Sequence, residues 1–270
     1  MRNKKQLSQE KVSEPEISYF GLQAYWGATK HMGGLKATKE LIELCHIKKD
    51  TYVLDVGCGV GATSCYLAKN YGCKVIGVDI FEMMTYRANE RRKREHVEDR
   101  VEFGVADVQN LPFKNDIFDA VIGESVITFV KDKQRAINEC VRVTKPGGYI
   151  GFNEETWMKM PPPEIVGYYY RTWDIKAETL NSDDWKELLR KSGLKDIVVR
   201  TYKFKSSLSE YINELRLYIK DYPRMLYRAL SLFIKNQLSE STSKEDTHLS
   251  LRTFSNTWDM GYTLEGNKRK

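Results

Sequence analysis

The chain has 270 residues, of which 41% are hydrophobic and 30% charged, and a formal net charge of +6. That composition belongs to a globular protein long enough to bury a core without disulfides or metals, and it excludes a disordered chain or a coiled coil. The five cysteines, Cys45, Cys58, Cys65, Cys73 and Cys140, are odd in number and form no C-x-x-C pair, which argues against a disulfide framework or zinc knuckle and for a reducing, cytoplasmic setting.

No apolar stretch approaches the ~20 residues that span a bilayer, so no membrane span is expected. Basic residues are scattered apart from Arg2, Lys4 and Lys5 and the run from Arg91 to Arg94. Such helix faces are usually solvated, and no nucleic-acid partner is expected. The four histidines, His31, His46, His96 and His248, make no H-E-x-x-H or similar cluster, so no metal site is expected.

Residues 1–16 are polar and lysine-rich without apolar periodicity, which predicts a disordered leader. Over 17–48 apolar residues recur at helical spacing on either side of Gly33 and Gly34, predicting two helices around a glycine turn. Between 49 and 155 strands alternate with helices: strand 52–56, helix 62–71, strand 74–78, helix 83–94, strand 101–105, strand 120–122, helix 133–143 and, after a turn at 145–148, strand 149–153. That alternation implies right-handed crossovers and a largely parallel sheet covered on both faces.

Beyond 155 the pattern predicts a helix at 182–192, with Asp183 and Asp184 complementing its dipole and Gly193 stopping it, and a sixth strand at 197–204. Helices at 208–219 and 223–238 read as an acceptor-binding lid within 205–240, and a last strand is expected at 256–265. The basic, apolar helix around 224–235 is read as an amphipathic lid helix, with peripheral membrane contact as the alternative. The fold expected is α/β: a doubly wound, Rossmann-like, seven-stranded sheet, mostly parallel with an antiparallel last strand, plus the helical lid.

The chemistry starts at residues 53–61, Val-Leu-Asp-Val-Gly-Cys-Gly-Val-Gly. An acid, Asp55, ends a buried strand, and Gly57, Gly59 and Gly61 follow in a turn where glycine lets the backbone approach a ligand. Alone the string is ambiguous, because Gly57, Gly59 and Ala62 also satisfy the dinucleotide pattern G-x-G-x-x-G/A. Asp79, ending the second strand, could accept from a ribose diol in either case. Asp55, however, would repel a pyrophosphate and hold the cationic amino group of a methionine moiety, and Asp107 after the third strand could accept from an adenine amine. Three acids around one ligand suit a cationic nucleoside, S-adenosylmethionine.

With those residues in place, the chain resembles the class I S-adenosylmethionine-dependent methyltransferases of the small-molecule group that includes the sarcosine/dimethylglycine, tocopherol and menaquinone-type enzymes. The resemblance rests on Leu54-Asp-Val-Gly-Cys-Gly59, Gly77-Val-Asp79, Ala106-Asp107 with Leu111-Pro-Phe113, Phe118-Asp119 and Arg142-Val-Thr-Lys-Pro-Gly-Gly148. It implies that Gly57 and Gly59 pack against the methionine part, Asp79 binds the ribose, Asp107 with Val108 holds the adenine and Ile80 flanks the ring. Tyr25-Trp-Gly and His31-Met-Gly-Gly34 resemble the stretch that closes over the methionine end, giving Tyr25 and Gly34 as further contacts; a sulfonium beside an aromatic face gains roughly 0.5–2 kcal/mol. Tyr19, Tyr25 and Trp26 fit a core stripe equally well.

Relatives often carry two histidines after the fourth strand, where this chain has Thr128 and Phe129. That departure removes the obvious base and leaves Glu124 and His31 as catalytic candidates, with Glu124 also close to the cofactor. Ser125, Glu154 and Glu155 sit near strand ends and could orient an acceptor. The acceptor expected is a small molecule, an amine or a quinone- or isoprenoid-like lipid, held by an aromatic lid carrying Trp157, Tyr168 to Tyr170, Trp173, Tyr211, Tyr218, Tyr222 and Tyr227. An NAD-dependent oxidoreductase and a catalytically silent cofactor-binding module are the rival readings. Oligomeric state is unreadable at this level.

Overall fold

The computed structural model describes residues 19–163, 166–167, 178–203, 218, 221–239 and 260–268. The leader at 1–16, the helix expected at 208–219 except for Tyr218, and the polar stretch at 240–247 lie outside the described residues.

The strands are β1 (Tyr52–Val56), β2 (Lys74–Asp79), β3 (Val101–Val105), β4 (Phe118–Glu124), β5 (Thr144–Trp157), β6 (Lys195–Lys203) and β7 (Met260–Lys268). They lie in the order β3-β2-β1-β4-β5-β7-β6. The pairs from β3 across to β5 are parallel, while β7 runs antiparallel to both β5 and β6. The chain leaves β1 toward β2 on one side and returns to β4 on the other, so the order reverses between β1 and β4. A crevice opens at the carboxyl ends of those two strands, where open α/β sheets bind ligands.

β1 explains the layering. Val53 points into a cluster with Leu41, Ile42, Cys65 and Leu67, whereas Leu54 and Val56 point into another with Ile137, Phe152 and Trp185. A strand buried on both faces reads as a continuous apolar run, as this one does up to Asp55. On the first face lie α2 (Gly34–Leu44), α3 (Ala62–Tyr71) and α4 (Glu82–Glu95); on the second lie α5 (Lys133–Val143) and α6 (Ser182–Lys191). A third cluster, with Ala24, Val60, Met84 and Tyr218 buried and Met225 against them, seats α1 (Tyr19–Trp26) and α7 (Tyr222–Ser239) over the glycine turn.

Helix ends follow local chemistry. Asp132 caps α5 by accepting from Arg135 N at 3.0 Å, and Asn181 caps α6 by accepting from Asp183 N and Asp184 N, each cap contributing about 1 kcal/mol. The strand expected at 149–153 is longer at both ends: β5 begins at Thr144 and takes in Lys145-Pro-Gly-Gly148. Gly147 takes φ +77° there, and the pairing with β4 shifts register between Phe118 and Ala120. Asp119 explains why the strand starts early: its carboxylate accepts from Tyr52 N at 2.8 Å and Lys145 Nζ at 2.7 Å, tying the starts of β1, β4 and β5.

A second correction concerns the basic run from Arg91 to Arg94, read above as solvated. Arg91 is only 3% exposed. It donates to Val60 O at 3.1 Å and to Asp221 at 2.6 Å, and its guanidinium lies 5.1 Å from the Tyr218 ring centroid.

Candidate functional site

The glycine turn lies between β1 and α3. Gly57 and Gly59 take φ +63° and +52°, and a Cβ on either would meet Val126 Cγ2 at 2.2 Å or Thr29 Cγ2 at 2.7 Å. Only glycine satisfies both the left-handed backbone and that close approach. Asp79 braces the turn from β2: its Oδ2 accepts from Gly59 N and its Oδ1 from Phe81 N, both at 2.9 Å. Burial raises its pKa, opposed by the backbone N–H groups of Phe81, Gly59 and Ile80. Each oxygen keeps a lone pair for a further donor.

Asp55 is 3% exposed and accepts from Ser64 Oγ, in the first turn of α3, at 2.5 Å. Burial pushes its carboxyl up to about 7. Its carboxylate is therefore engaged within the fold beneath the turn and does not stand bare beside it.

Asp107 accepts from Gln109 N at 2.8 Å, and Val108 is buried in the second core cluster. Ile80 is 59% exposed at the end of β2. Tyr25 reaches across to α7, its hydroxyl 3.2 Å from Ser231 Oγ. Gly34, at φ +51°, opens α2. Further aromatic rings meet at this edge of the crevice: Phe20 of α1 stacks on Phe81 at 5.4 Å and meets Phe129 edge-on at 5.3 Å.

On the other side, at the end of β4, the fold brings the two catalytic candidates together. His31 Nδ1 lies 3.3 Å from Glu124 Oε1, with side-chain exposures of 9% and 6%. Thr38 of α2 donates to Glu124 Oε1 at 3.0 Å, and Thr63 of α3 donates to Oε2 at 2.7 Å. Asn153 of β5 donates to Met32 O at 2.8 Å and stands 3.4 Å from His31 Nδ1. Its Oδ1 is buried with no hydrogen-bond partner among the described residues. Ser125, at φ +56°, steadies the loop by accepting from Met32 N at 3.3 Å and donating its own N–H to Asn153 O at 2.7 Å.

Thr38, Thr63 and Asn153 escape sequence reasoning because each stands beside other polar residues, Lys39, Ser64 and Glu154, and nothing local sets it apart from them. Their signal is negative: threonine or asparagine where periodicity calls for a core residue needs a buried partner.

Glu154 does not orient an acceptor. It is 1% exposed and accepts from Val126 N, Ile127 N, Thr128 N and Thr128 Oγ1 at 2.8–3.1 Å. Burial pushes it up to about 7 against those four donors. Thr128, standing where relatives carry a histidine, is fully buried within that cap. The aromatics expected in the lid are also divided: Trp157 and Tyr218 are buried, Tyr222 and Tyr227 are exposed, and Tyr168 to Tyr170, Trp173 and Tyr211 lie outside the described residues.

Residues 54–152 match the family model described as a methyltransferase domain. Norajmaline N-methyltransferase of Rauvolfia serpentina is 35% identical over 144 residues, covering 53% of this chain and 44% of that protein. Phosphoethanolamine N-methyltransferase of Triticum aestivum is 29% identical over 188 residues, covering 68% of this chain and 36% of that one. The chain therefore spans less than half the length of these curated relatives. Among solved structures, phosphoethanolamine N-methyltransferase 2 of Haemonchus contortus in complex with S-adenosyl-L-methionine superposes with a TM-score of 0.65 at 21% identity, covering 92% of this chain and 56% of that one. At that identity the likeness establishes the fold alone.

Proposed function

From the premise that the chain carries a class I, S-adenosylmethionine-dependent methyltransferase domain, we propose that it methylates a small-molecule amine, with Glu124 and His31 facing the acceptor. The observation that carries this reading is the 3.3 Å approach of His31 to Glu124 at the carboxyl end of β4, beside the glycine turn.

The residues present fit the cofactor. Gly57 and Gly59 give a turn without side chains, closed in by Val126 and Thr29, whose backbone can approach a ligand. Asp79 already accepts one N–H on each oxygen and has capacity left for two ribose hydroxyls. Asp107 and Val108 take the adenine end, with Ile80 against the ring, and Asp55 adds negative charge below the methionine end. When bound, S-adenosylmethionine supplies a methyl group already activated by its sulfonium.

The protein's remaining work is alignment, and holding two reactants in a near-attack geometry can supply roughly 7–11 kcal/mol of the barrier. An ammonium acceptor must first lose a proton, and a carboxylate beside an imidazole can take it. The acceptor nitrogen then forms the new N–C bond as the C–S bond breaks in line. Thr38 and Thr63 hold Glu124 in place for that step. An acid-lined site favours an amine over a quinone or isoprenoid lipid, and the names of both curated relatives denote N-methylation.

The test is a Glu124→Gln enzyme assayed for S-adenosylhomocysteine release with a panel of primary, secondary and tertiary amines. The reading predicts unchanged cofactor affinity with lower turnover. Wild-type turnover in the variant would remove Glu124 from the mechanism.

A further inference from the structure

Away from Glu124 and His31, five arginines converge on one cleft: Arg87, Arg91 and Arg94 of α4, and Arg224 and Arg228 of α7. The cleft is open to solvent, with a cavity volume of about 20 Å³. Of the glycine turn it reaches only Val60, and neither Asp79 nor Glu124 lines it.

The carboxylates here are shared. Asp221 accepts from Arg91 at 2.6 Å and from Arg94 at 2.5 Å. Glu90 lies 2.8 Å from Arg87 and 3.8 Å from Arg228, and Glu95 takes the other arm of Arg91 at 3.1 Å. Five guanidinium groups thus meet three carboxylates, and Arg224 has no ion pair among the described residues. Burial, together with the facing Arg87, Arg224 and Arg94, lowers the pKa of Arg228 against the pull of Glu90. Like charges held together in a partly desolvated cleft repel strongly, and an anion relieves them.

Gly27 sharpens the site. It takes φ +78°, and a Cβ there would stand 2.5 Å from Arg228 Nη1. Arg228 Nη1 also donates to Trp26 O at 3.1 Å. The guanidinium fork is therefore held at a fixed position beside Trp26, which is 38% exposed at the rim.

We propose that this cleft binds a phosphate group, taken by the forks of Arg224 and Arg228 in the bidentate manner that suits guanidinium to tetrahedral oxyanions. The site is independent of the amine reading above, since no residue of the Glu124 cluster lines it.

The test titrates the intact protein with inorganic phosphate at constant ionic strength, following thermal unfolding and tryptophan fluorescence. Wild type is expected to give a saturable rise in unfolding temperature. An Arg224→Gln/Arg228→Gln double variant, checked for native circular dichroism, is expected to bind at least about tenfold more weakly, since charge-assisted hydrogen bonds are lost. Trp26→Phe should keep the thermal shift and lose the fluorescence change. No saturable response in wild type, or equal responses in wild type and double variant, overturns the proposal. O-phosphoethanolamine and vesicles containing phosphatidic acid separate the sources. Binding of the soluble ester supports a phosphorylated metabolite, whereas a response to vesicles alone overturns the site.

Discussion

The two halves of the crevice are held together by different means. On the cofactor side Asp79 is fixed by backbone N–H groups of its own turn and of the neighbouring glycine turn. On the side proposed to face the acceptor, Glu124 is fixed by side chains from separate elements: Thr38 of α2, Thr63 of α3 and His31 of the loop between α1 and α2. A carboxylate braced by backbone amides belongs to the scaffold. A carboxylate braced by hydroxyls and an imidazole can exchange partners, and that freedom suits proton transfer. Glu154, one strand over from Glu124, follows the first pattern with three backbone N–H groups and one hydroxyl, and it is structural despite standing at a strand end.

The sharpest break of this comparison is the pair of variants Glu124→Gln and Glu154→Ala. Glu124→Gln is expected to lower turnover by roughly 10²-fold or more, the usual scale for a positioned acid or base, with cofactor affinity intact in single-turnover and binding measurements. Glu154→Ala is expected to destabilise the fold by about 3 kcal/mol or more in urea titrations, because buried donors at Val126, Ile127 and Thr128 lose their acceptor. If Glu154→Ala unfolds like wild type, the division between scaffold and reactive carboxylates fails.

A smaller effect comes from pH. Asp55 has its carboxyl pushed by burial from 3.8 up to about 7. A group whose folded-state pKa is raised gives stability that is full below the unfolded value and is lost as pH rises through the folded one. Stability should therefore fall between about pH 4 and pH 7, by no more than about 1.4 kcal/mol per pH unit from this group. Asp55→Asn should flatten that slope in a pH series of denaturant midpoints. An unchanged slope would mean that Asp55 is not the titrating group.

The same contrast explains what could be read in advance. The run from Tyr52 to Asp79 was legible because its signals are local: apolar runs for β1 and β2, glycines for the turn and helical spacing for α3. The start of β5 was not, since Lys145-Pro-Gly-Gly148 carries turn chemistry, and only the distant Asp119 draws it into the sheet. Glu124 and His31 could be named as candidates, but Thr38, Thr63 and Asn153 acquire meaning only once α2, α3 and β5 are packed. Arg91 likewise reads as one charge in a basic run until Asp221, far along the chain, meets it.

Calorimetric titration of wild type and Asp79→Ala with S-adenosylhomocysteine and with NAD tests the central claim most directly. The account predicts binding of S-adenosylhomocysteine to wild type, loss of at least about tenfold in affinity on removing the carboxylate proposed to hold the ribose, and no binding of NAD. Tight binding of NAD with none of S-adenosylhomocysteine would contradict it.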